Sequence, residues 1–526
     1  MFKRIRLIIN TIKYLKPKQI FHQLYYGLKR KKSFNSYLTE DFTFKKLLFR
    51  VPLRSKSIIL DENHFRFLNL EQKFDKCVDW KFEEYGKLWN YNLQYFDYLF
   101  QSDVSDNVKI NLLEDFDKAL RGKIILLEPY PVSLRLINSI RYFSSKQANE
   151  NIFKSIYAQL RYLNDNLEHH ILGNHLLENA FALTMGGAAF SDEEWLKKGK
   201  RILIKELQEQ ILNDGGHFEL SPMYHKIILF RLLELIDWYE NFENADIIFL
   251  DFVKQKATQM LHWLHTISFD DDTTPHFNDS ANNIAYTNVE LFAYAEQLGF
   301  KPPKTIALKD SGYRKYAFKN YQCVVDAGQI GASYQAGHAH ADALSFVLHY
   351  KNAPLLVEAG TSTYQIGDRR NYERSTQAHN CVVVGDINQS EVWGGFRVGN
   401  RAVTTIKQET NDKLIASHDG YKRKFNAIHQ RSFEFETDKI IISDMLISGK
   451  KNISAKAYFH FCPNKNIRLE ENCIFVDDIK RIVFETPIDI CIESYQYSLE
   501  YNLYETAVAV AVAFSSILKT IIYLND

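Results

Sequence analysis

From about residue 85 to residue 300, hydrophobic residues recur every three or four positions. The segments SIYAQLRYLNDNLEHHIL, EWLKKGKRILIKELQEQIL and YHKIILFRLLELIDWYENF show this spacing, which places apolar side chains on one face of an α-helix. Short polar loops with Gly, Asn or Asp separate such segments, as between the helices of a hairpin. Several hairpins in succession predict a layered or ring-shaped helical array, although no clear sequence repeat accompanies it.

The pattern changes after about residue 305. Segments such as YQCVVDAG, LSFVLHY and NCVVVGD are short, rich in β-branched residues and bounded by Gly, Asn or Asp. At close spacing, such segments predict an antiparallel β-sandwich. The chain is therefore predicted to be an α+β protein in three parts: a basic helix with an extended lead-in (1–84), a helical domain (85–305) and a β-sandwich (306–526). A cleft between the two larger domains is the expected ligand site.

Charge changes this picture only at the N-terminus. The chain carries a net charge of +1, so no global field attracts nucleic acid, but residues 1–32 hold ten Lys or Arg and no acid. The apolar run LIINTI contains Asn10 and is soon followed by Lys13, with no small-residue cleavage site, which disfavours a conventional secretory signal. The segment is expected to be a solvated helix packed by its Ile and Leu face. The alternative is peripheral contact with an anionic membrane.

Composition narrows the chemistry further. The six cysteines form no CxxC pair, which disfavours a disulfide framework and a thiolate metal site. No nucleotide-binding glycine loop is present, so no organic cofactor is expected. The 30 Tyr and 6 Trp fit either a large aromatic core or a groove for sugars.

Four polar clusters are candidates for chemistry. The helical half contributes ILGNHLLENA and DGGHFELSPMYHK, and the β half contributes GHAHAD and RRNYERSTQAHN. Taken alone, Asn174 and His175 are equally well read as a helix cap and a core imidazole, and Tyr224 as a packed aromatic. His338 and His340, one residue apart on a predicted strand, would point the same way, as metal ligands or as a base beside a ligand.

The order and context of these clusters resemble the heparinase II/III-like polysaccharide lyases, a bacterial family with an N-terminal α/α toroid and a C-terminal antiparallel β-sandwich. The resemblance covers most of the chain. It rests on WNYNLQYFDYL (89–99), EPYPVSLRLIN (128–138), NHLLEN, GGHFELSPMYH, GHAHADALSF, PLLVEAGTSTY and STQAHNCVVV. It implies an acidic polysaccharide as the substrate. The degradative members are exported to the periplasm, so the location of this chain is left open between the cell envelope and the cytoplasm.

The resemblance also implies roles for single residues. Asn174, helped by His175, would bind the uronate carboxylate of the +1 sugar. Tyr224 would act as the acid and also as a candidate base, and His338 as the second proton-transfer residue. The candidate substrate-binding residues are Arg374, Glu219 and Tyr372.

A metal is implied less firmly. His340, Glu358 and His379 match positions where some members hold a structural zinc ion. At the position of Glu358 the family often has Asp, and Glu358 keeps an oxygen ligand on a longer side chain. Three nitrogen and oxygen ligands of this kind would suit one zinc ion. Asp342 is expected to orient one of the imidazoles.

β-Elimination would explain why these residue types occur together. Removing the C5 proton of a uronate places a second charge on its carboxyl group, which a donor such as the Asn174 amide offsets. Histidine titrates near neutral pH, whereas a tyrosine base needs its pKa lowered by neighbours such as His338 or Arg374. The leaving 4-oxygen needs a proton, which a phenol can supply.

Two rival hypotheses remain. A glycoside hydrolase on the same scaffold would need two carboxylates beside the bond, for which Glu178, Glu219 and Asp279 are the candidates. A non-catalytic polysaccharide-binding or capsule-assembly protein would have no use for Asn174, Tyr224 and His338 together. The identity of the polysaccharide, and endo or exo action, are left open.

Overall fold

The structure is a computed structural model that describes residues 2–30, 32–53, 55, 58–147, 149–448 and 453–525. Its α-helices are α1 (Phe2–Ile12), α2 (Pro17–Leu28), α3 (Lys87–Tyr95), α4 (Asp106–Arg121), α5 (Pro129–Ser145), α6 (Glu150–Asp165), α7 (Gly173–Ala189), α8 (Glu193–Gln210), α9 (Pro222–Tyr239), α10 (Ile247–Ile267), α11 (Asn288–Gln297), α12 (Asp368–Glu373) and α13 (Lys422–Phe425). Short 3₁₀ turns occupy Phe34–Tyr37, Asp97–Phe100 and Thr376–Ala378.

The helical half has two layers. α5, α7 and α9 are buried on nearly all sides and form the inner layer, whereas α6 and α8 bury one face each. This difference follows from sequence, because α7 and α9 are apolar around their circumference while α6 and α8 are amphipathic. The prediction of an α/α toroid is confirmed.

The β half contains most of the strands. The strands are β1 (Ile59–Asp61), β2 (His64–Phe67), β3 (Leu70–Lys73), β4 (Tyr313–Ala317), β5 (Tyr321–Asp326), β6 (Phe346–Tyr350), β7 (Ala353–Leu356), β8 (Val382–Val384), β9 (Val392–Trp393), β10 (Arg397–Val398), β11 (Thr404–Glu409), β12 (Lys413–His418), β13 (Ala427–Phe435), β14 (Lys439–Ser448), β15 (Ala455–His460), β16 (Ile467–Glu470), β17 (Cys473–Val476), β18 (Ile479–Glu485), β19 (Asp489–Tyr497), β20 (Glu505–Phe514) and β21 (Ile517–Tyr523).

An eight-stranded sheet and two four-stranded sheets share one core. The strand orders are β11-β12-β13-β14-β21-β18-β17-β16, β19-β20-β15-β8 and β4-β5-β6-β7. All of their pairings are antiparallel. β13 buries every second residue, so one face of the large sheet covers the core and the other meets solvent. The predicted β-sandwich is confirmed.

The N-terminal segment departs from its predicted packing. The prediction that the first helix packs by its Ile and Leu face is wrong, because the isoleucines of α1 are exposed. Its inward side is polar: Asn10 donates to Glu391, and Thr11 accepts from Trp393. The small sheet β1-β2-β3 in the lead-in was not predicted. Among the described residues, no helix has the length and apolar content needed to cross a membrane.

Candidate active site

Three segments bring the candidate residues together where the helical and β halves meet. The first turn of α7 carries Asn174 and His175, and the first turn of α9 carries Tyr224. Ser221 caps α9 by accepting from the backbone N–H of Tyr224, and Pro222 fixes the first helical position. The third segment is the loop before β6, which carries His338.

Asn174 is held by a buried carboxylate. Glu219 accepts hydrogen bonds from the backbone N–H of Asn174 at 2.9 Å and from its Nδ2 at 2.9 and 3.1 Å. Gly173 permits this approach, because a Cβ there would lie 2.5 Å from Oε1 of Glu219 and its φ is +58°. The Asn174 Oδ1 atom is buried without a hydrogen-bond partner. Both Glu219 oxygens face Asn174, so Glu219 positions this amide.

The surroundings of His175 favour a positive charge on its imidazole. Its Nδ1 lies 3.0 Å from Oε1 of Glu168, and its ring lies 4.2 Å from the Tyr130 ring between centroids. Burial alone would lower the pKa of His175, but the Glu168 carboxylate outweighs it and leaves the pKa above its usual value. The Glu168 carboxylate therefore favours the cationic form of His175 beside Asn174.

Tyr224 and His338 stack across the junction of the two halves. Their ring centroids are 3.9 Å apart at an interplanar angle of 29°. The Tyr224 hydroxyl lies 3.2 Å from the hydroxyl of Tyr364, and Nε2 of His338 lies 3.7 Å from Oε2 of Glu219. Burial and the neighbouring phenol of Tyr501 raise the pKa of Tyr224 well above its usual value. The expectation that cationic neighbours lower this pKa is wrong, because aromatic rings surround the phenol.

The GHAHAD segment is a loop, so its prediction as a strand is wrong. β6 begins only at Phe346. The backbone of the loop is satisfied by side chains and other loops: the N–H of His340 donates to Oδ1 of Asn278, and the N–H of Asp279 donates to the carbonyl of His338. The imidazoles of His338 and His340, both carried by this loop, nevertheless contact the same carboxylate.

That shared carboxylate is Asp279. Its Oδ2 lies 2.9 Å from Nδ1 of His338, and its Oδ1 lies 2.8 Å from Nε2 of His340. Arg370 binds the same carboxylate through both terminal nitrogens. Burial alone would raise the pKa of Asp279, but Arg370 and the imidazoles hold it well below its usual range. The prediction that Asp342 orients an imidazole is wrong, since Oδ2 of Asp342 has no partner and burial raises its pKa to about 6.

Arg374 and Tyr372 lie outside this cluster. Arg374 donates to the carbonyl oxygens of Ala339 and Gly395, so it braces the loops around the site instead of facing a substrate. Tyr372 packs against a separate apolar cluster that includes Val357. α12 turns Arg370, and not Arg374, towards Asp279. Substrate binding by Arg374 and Tyr372 stays a prediction.

The predicted zinc ligands lie close together, although some of their nitrogen and oxygen atoms already form hydrogen bonds within the protein. Nδ1 of His340 and Nε2 of His379 are buried without partners, and the two ring centroids are 5.2 Å apart. Glu358 is already engaged by Nδ1 of His379 and Oγ of Ser345. In the portion of the chain that the structure describes, no three His, Cys, Asp or Glu side chains form a group suited to a metal. Zinc binding stays a prediction, which metal analysis of the purified protein tests.

Sequence reasoning missed several members of the site. Tyr130 and Tyr364 lie within EPYPVSLRLIN and PLLVEAGTSTY, segments already singled out, yet neither was assigned a role. Arg370 lies one helical turn before Arg374, and residue type alone does not distinguish the two arginines. Asp279 was weighed only as a hydrolase carboxylate. No local pattern marks Glu168 as the partner of His175.

Together, the fold and the site define a protein in which an α/α toroid and a β-sandwich enclose a cluster of amide, phenol and imidazole groups. Family models describe both halves: "Heparinase II/III N-terminus" matches residues 133–300, and "Heparinase II/III-like, C-terminal" matches residues 301–521. The chain therefore belongs to the heparinase II/III-like family.

Three curated relatives carry the name heparin-sulfate lyase. The one from Bacteroides stercoris is 26% identical over 322 residues, which cover 54% of this chain and 45% of the relative. The one from Pedobacter heparinus is 25% identical over 401 residues, covering 68% and 56%. The chain thus spans about half the length of the curated relatives it matches.

Solved structures share the fold. A heparan sulfate lyase mutant from Pedobacter heparinus superposes with a TM-score of 0.60 at 18% identity, covering 88% of this chain and 81% of that one. A chondroitin AC lyase from Streptomyces coelicolor gives a TM-score of 0.53 at 7% identity, covering 84% and 75%. At these identities, the likeness concerns the architecture.

Proposed function

We propose that this protein is a polysaccharide lyase that cleaves a uronate-containing polysaccharide by β-elimination. The observation that carries the proposal is the Tyr224–His338 stack beside Asn174 and His175. A proton donor, a base and two side chains that can bind the uronate carboxylate are thereby available around one sugar ring. β-Elimination requires no further chemical group.

The carboxylate end of the site would be formed by Asn174 and His175. As the C5 proton leaves, negative charge builds on the uronate carboxyl group. The His175 cation and the second N–H of the Asn174 amide would offset that charge. Glu219 and Glu168 are positioning residues, since each holds one of these two side chains.

The proton-transfer end would be formed by His338 and Tyr224. Asp279 holds Nδ1 of His338, which favours a proton on that nitrogen and leaves Nε2 as the base. Nε2 would take the C5 proton, the C5–H electrons would form the C4=C5 double bond, and the C4–O4 bond would break. Tyr224, whose raised pKa keeps it protonated, would give its proton to O4.

The glycoside hydrolase alternative is disfavoured by the state of its carboxylates. Glu178 binds Nε of Arg231 at 3.0 Å, Glu219 binds Asn174, and Asp279 binds two imidazoles and Arg370. A hydrolase needs one carboxylic acid and one carboxylate free to meet the bond or a water. Each of these three candidates is already engaged.

The direct test is product chemistry. Purified protein is incubated with heparan sulfate, the polymer named in the Pedobacter heparinus structure, and with alginate and bacterial exopolysaccharides. A lyase produces the ultraviolet absorbance of an unsaturated uronate, and the expected result is such absorbance with at least one polymer. New reducing ends without that absorbance would identify a hydrolase, and binding without cleavage would identify a carrier.

The pH dependence should report the His175–Glu168 pair. The folded-state pKa of His175 lies above its usual value, so the cation persists above that value and is lost as pH rises through the raised pKa. In Glu168→Gln, the carboxylate that raises the pKa is gone. The alkaline limb of the kcat/KM profile should therefore move to lower pH, with the acid limb little changed.

Glu206→Gln is the matched control for this profile. Glu206 is another buried glutamate of the helical half, and its carboxylate accepts from Gln210. It should leave the alkaline limb in place. An unchanged limb in Glu168→Gln would mean that His175 does not act as a cation in the reaction.

A further inference from the structure

The two N-terminal helices present apolar side chains to solvent. On α1 the exposed positions follow the i, i+3, i+4, i+7 spacing of one helix face, and α2 repeats a similar stripe. We call these residues the outer stripe: Ile5, Ile8, Ile9 and Ile12 on α1, and Ile20, Phe21, Leu24, Tyr25 and Leu28 on α2. Ile9 and Leu24 are 61% and 64% exposed.

The opposite, polar side of both helices faces the protein. On α1, Asn10 donates to Oε2 of Glu391 at 3.0 Å, and Thr11 accepts from Nε1 of Trp393 at 3.1 Å. On α2, the buried Gln19 donates to the carbonyl of Ile171 at 3.2 Å. Turning either helix to bury its stripe would break these bonds, so the stripe is held outwards. This orientation is the reverse of an ordinary surface helix.

The hydrogen bonds that hold α1 and α2 connect them to both halves of the molecule. α1 contacts the β9–β10 hairpin, and α2 contacts the segment that precedes α7, where Tyr26 also donates to the carbonyl of Leu167. The two helices are thus built onto the body of the protein at several points. They do not behave as a detached tail, and the stripe has a defined place on the surface.

Positive charge is concentrated beside the stripe. Residues 1–32 contain ten Lys or Arg and no acid, while the whole chain is +1, so the remaining residues carry a net charge of −9. Arg4, Lys13 and Arg30 are exposed on this segment. A negatively charged surface would therefore attract this side of the protein and repel the rest.

We propose that α1 and α2 dock the protein onto an anionic lipid surface. The outer stripe would enter the boundary between headgroups and acyl chains, and the exposed Arg4, Lys13 and Arg30 would lie on the lipid phosphates. Phe21 and Tyr25 suit that boundary, where aromatic rings are favoured. A second copy of the chain is a poorer occupant, since it would bring a second set of residues 1–32, which contain ten Lys or Arg and no acid, towards the first. A soluble polyanion is also a poorer occupant, because it would bind the basic side chains but leave the apolar outer stripe exposed to water.

The test is flotation of the full chain with phosphatidylcholine vesicles, with and without phosphatidylglycerol. The expected result is binding that needs the anionic lipid and weakens as salt is raised. The double variant Ile9→Ser, Leu24→Ser should bind the vesicles at least roughly tenfold more weakly, because two side chains that enter the bilayer boundary become polar. Its matched control is Leu126→Ser, Ile248→Ser, which changes an even more exposed Leu and Ile elsewhere and should bind normally.

Three results would overturn the proposal. The first is no binding to anionic vesicles at low salt. The second is equal binding by the stripe variant and its control, which would reduce the contact to charge alone. The third is a dimer in solution that only the stripe variant dissociates, which would make the stripe an interface between two copies. None of these results depends on lyase activity.

Discussion

Replacing Tyr224 by Phe is expected to lower kcat by about 10³-fold, with the fold intact. The phenol hydroxyl is the proton donor proposed for the leaving O4, and Phe keeps the ring that stacks on His338 at 3.9 Å. Within the described part of the chain, the hydrogen bond lost is the one to the Tyr364 hydroxyl, which contributes about 1 kcal/mol to stability. The rate of unsaturated-product formation and the melting temperature measure the two effects separately.

Tyr372→Phe is the matched control for this change. Tyr372 is a partly buried tyrosine of the β half, and it packs against the apolar cluster that includes Val357 and not against the stacked pair. Its loss of a hydroxyl should leave kcat unchanged. Full activity in Tyr224→Phe would remove the phenol from the mechanism, and a large loss in Tyr372→Phe would return Tyr372 to the site.

Replacing Asp279 by Asn is expected to damage both activity and stability. The amide can no longer hold His338 in the orientation that leaves Nε2 as the base, so kcat should fall about 10²- to 10⁴-fold. The change also leaves the buried guanidinium of Arg370 without its carboxylate, which costs about 3–5 kcal/mol of unfolding free energy. Denaturant unfolding and kcat per folded molecule measure these effects.

Asp444→Asn separates the two consequences. Asp444 is also fully buried, and it accepts from Nε2 of His429 at 2.8 Å and from Nε of Arg431 at 2.7 Å, within the large sheet. This variant should lose comparable stability and keep its kcat per folded molecule. If Asp279→Asn behaves in the same way, Asp279 is structural and His338 does not depend on it.

The structure brings predicted site residues together where a residue type and a local signal coincide. Asn174 and Tyr224 occupy first turns of helices, and their neighbours in sequence, Gly173 and the Ser221–Pro222 cap, already mark those helix starts. His338 comes from a loop that was predicted as a strand. Its place beside Tyr224 was nevertheless expected, because the motif order resembles that of the family. Their roles in catalysis stay predictions.

The prediction failed where partners are distant in sequence. Arg370 and Arg374 are both plausible anion-binding residues by type, and only the path of α12 decides that Arg370 meets Asp279. The pKa of Tyr224 depends on which rings surround its hydroxyl, including Tyr501, which lies nearly 300 positions away. No pattern within a single segment contains such information.

The sequence by itself determined the two architectures, their order along the chain and the family. Hydrophobic periodicity is a local property, and it decides whether a segment can bury one face as a helix or as a strand. Only the tertiary structure decided the orientation of the N-terminal stripe and the choice of Asp279 as the carboxylate shared by His338 and His340. Both depend on long-range polar contacts, since a buried hydrogen bond or ion pair can hold an apolar face outwards or select one carboxylate among several.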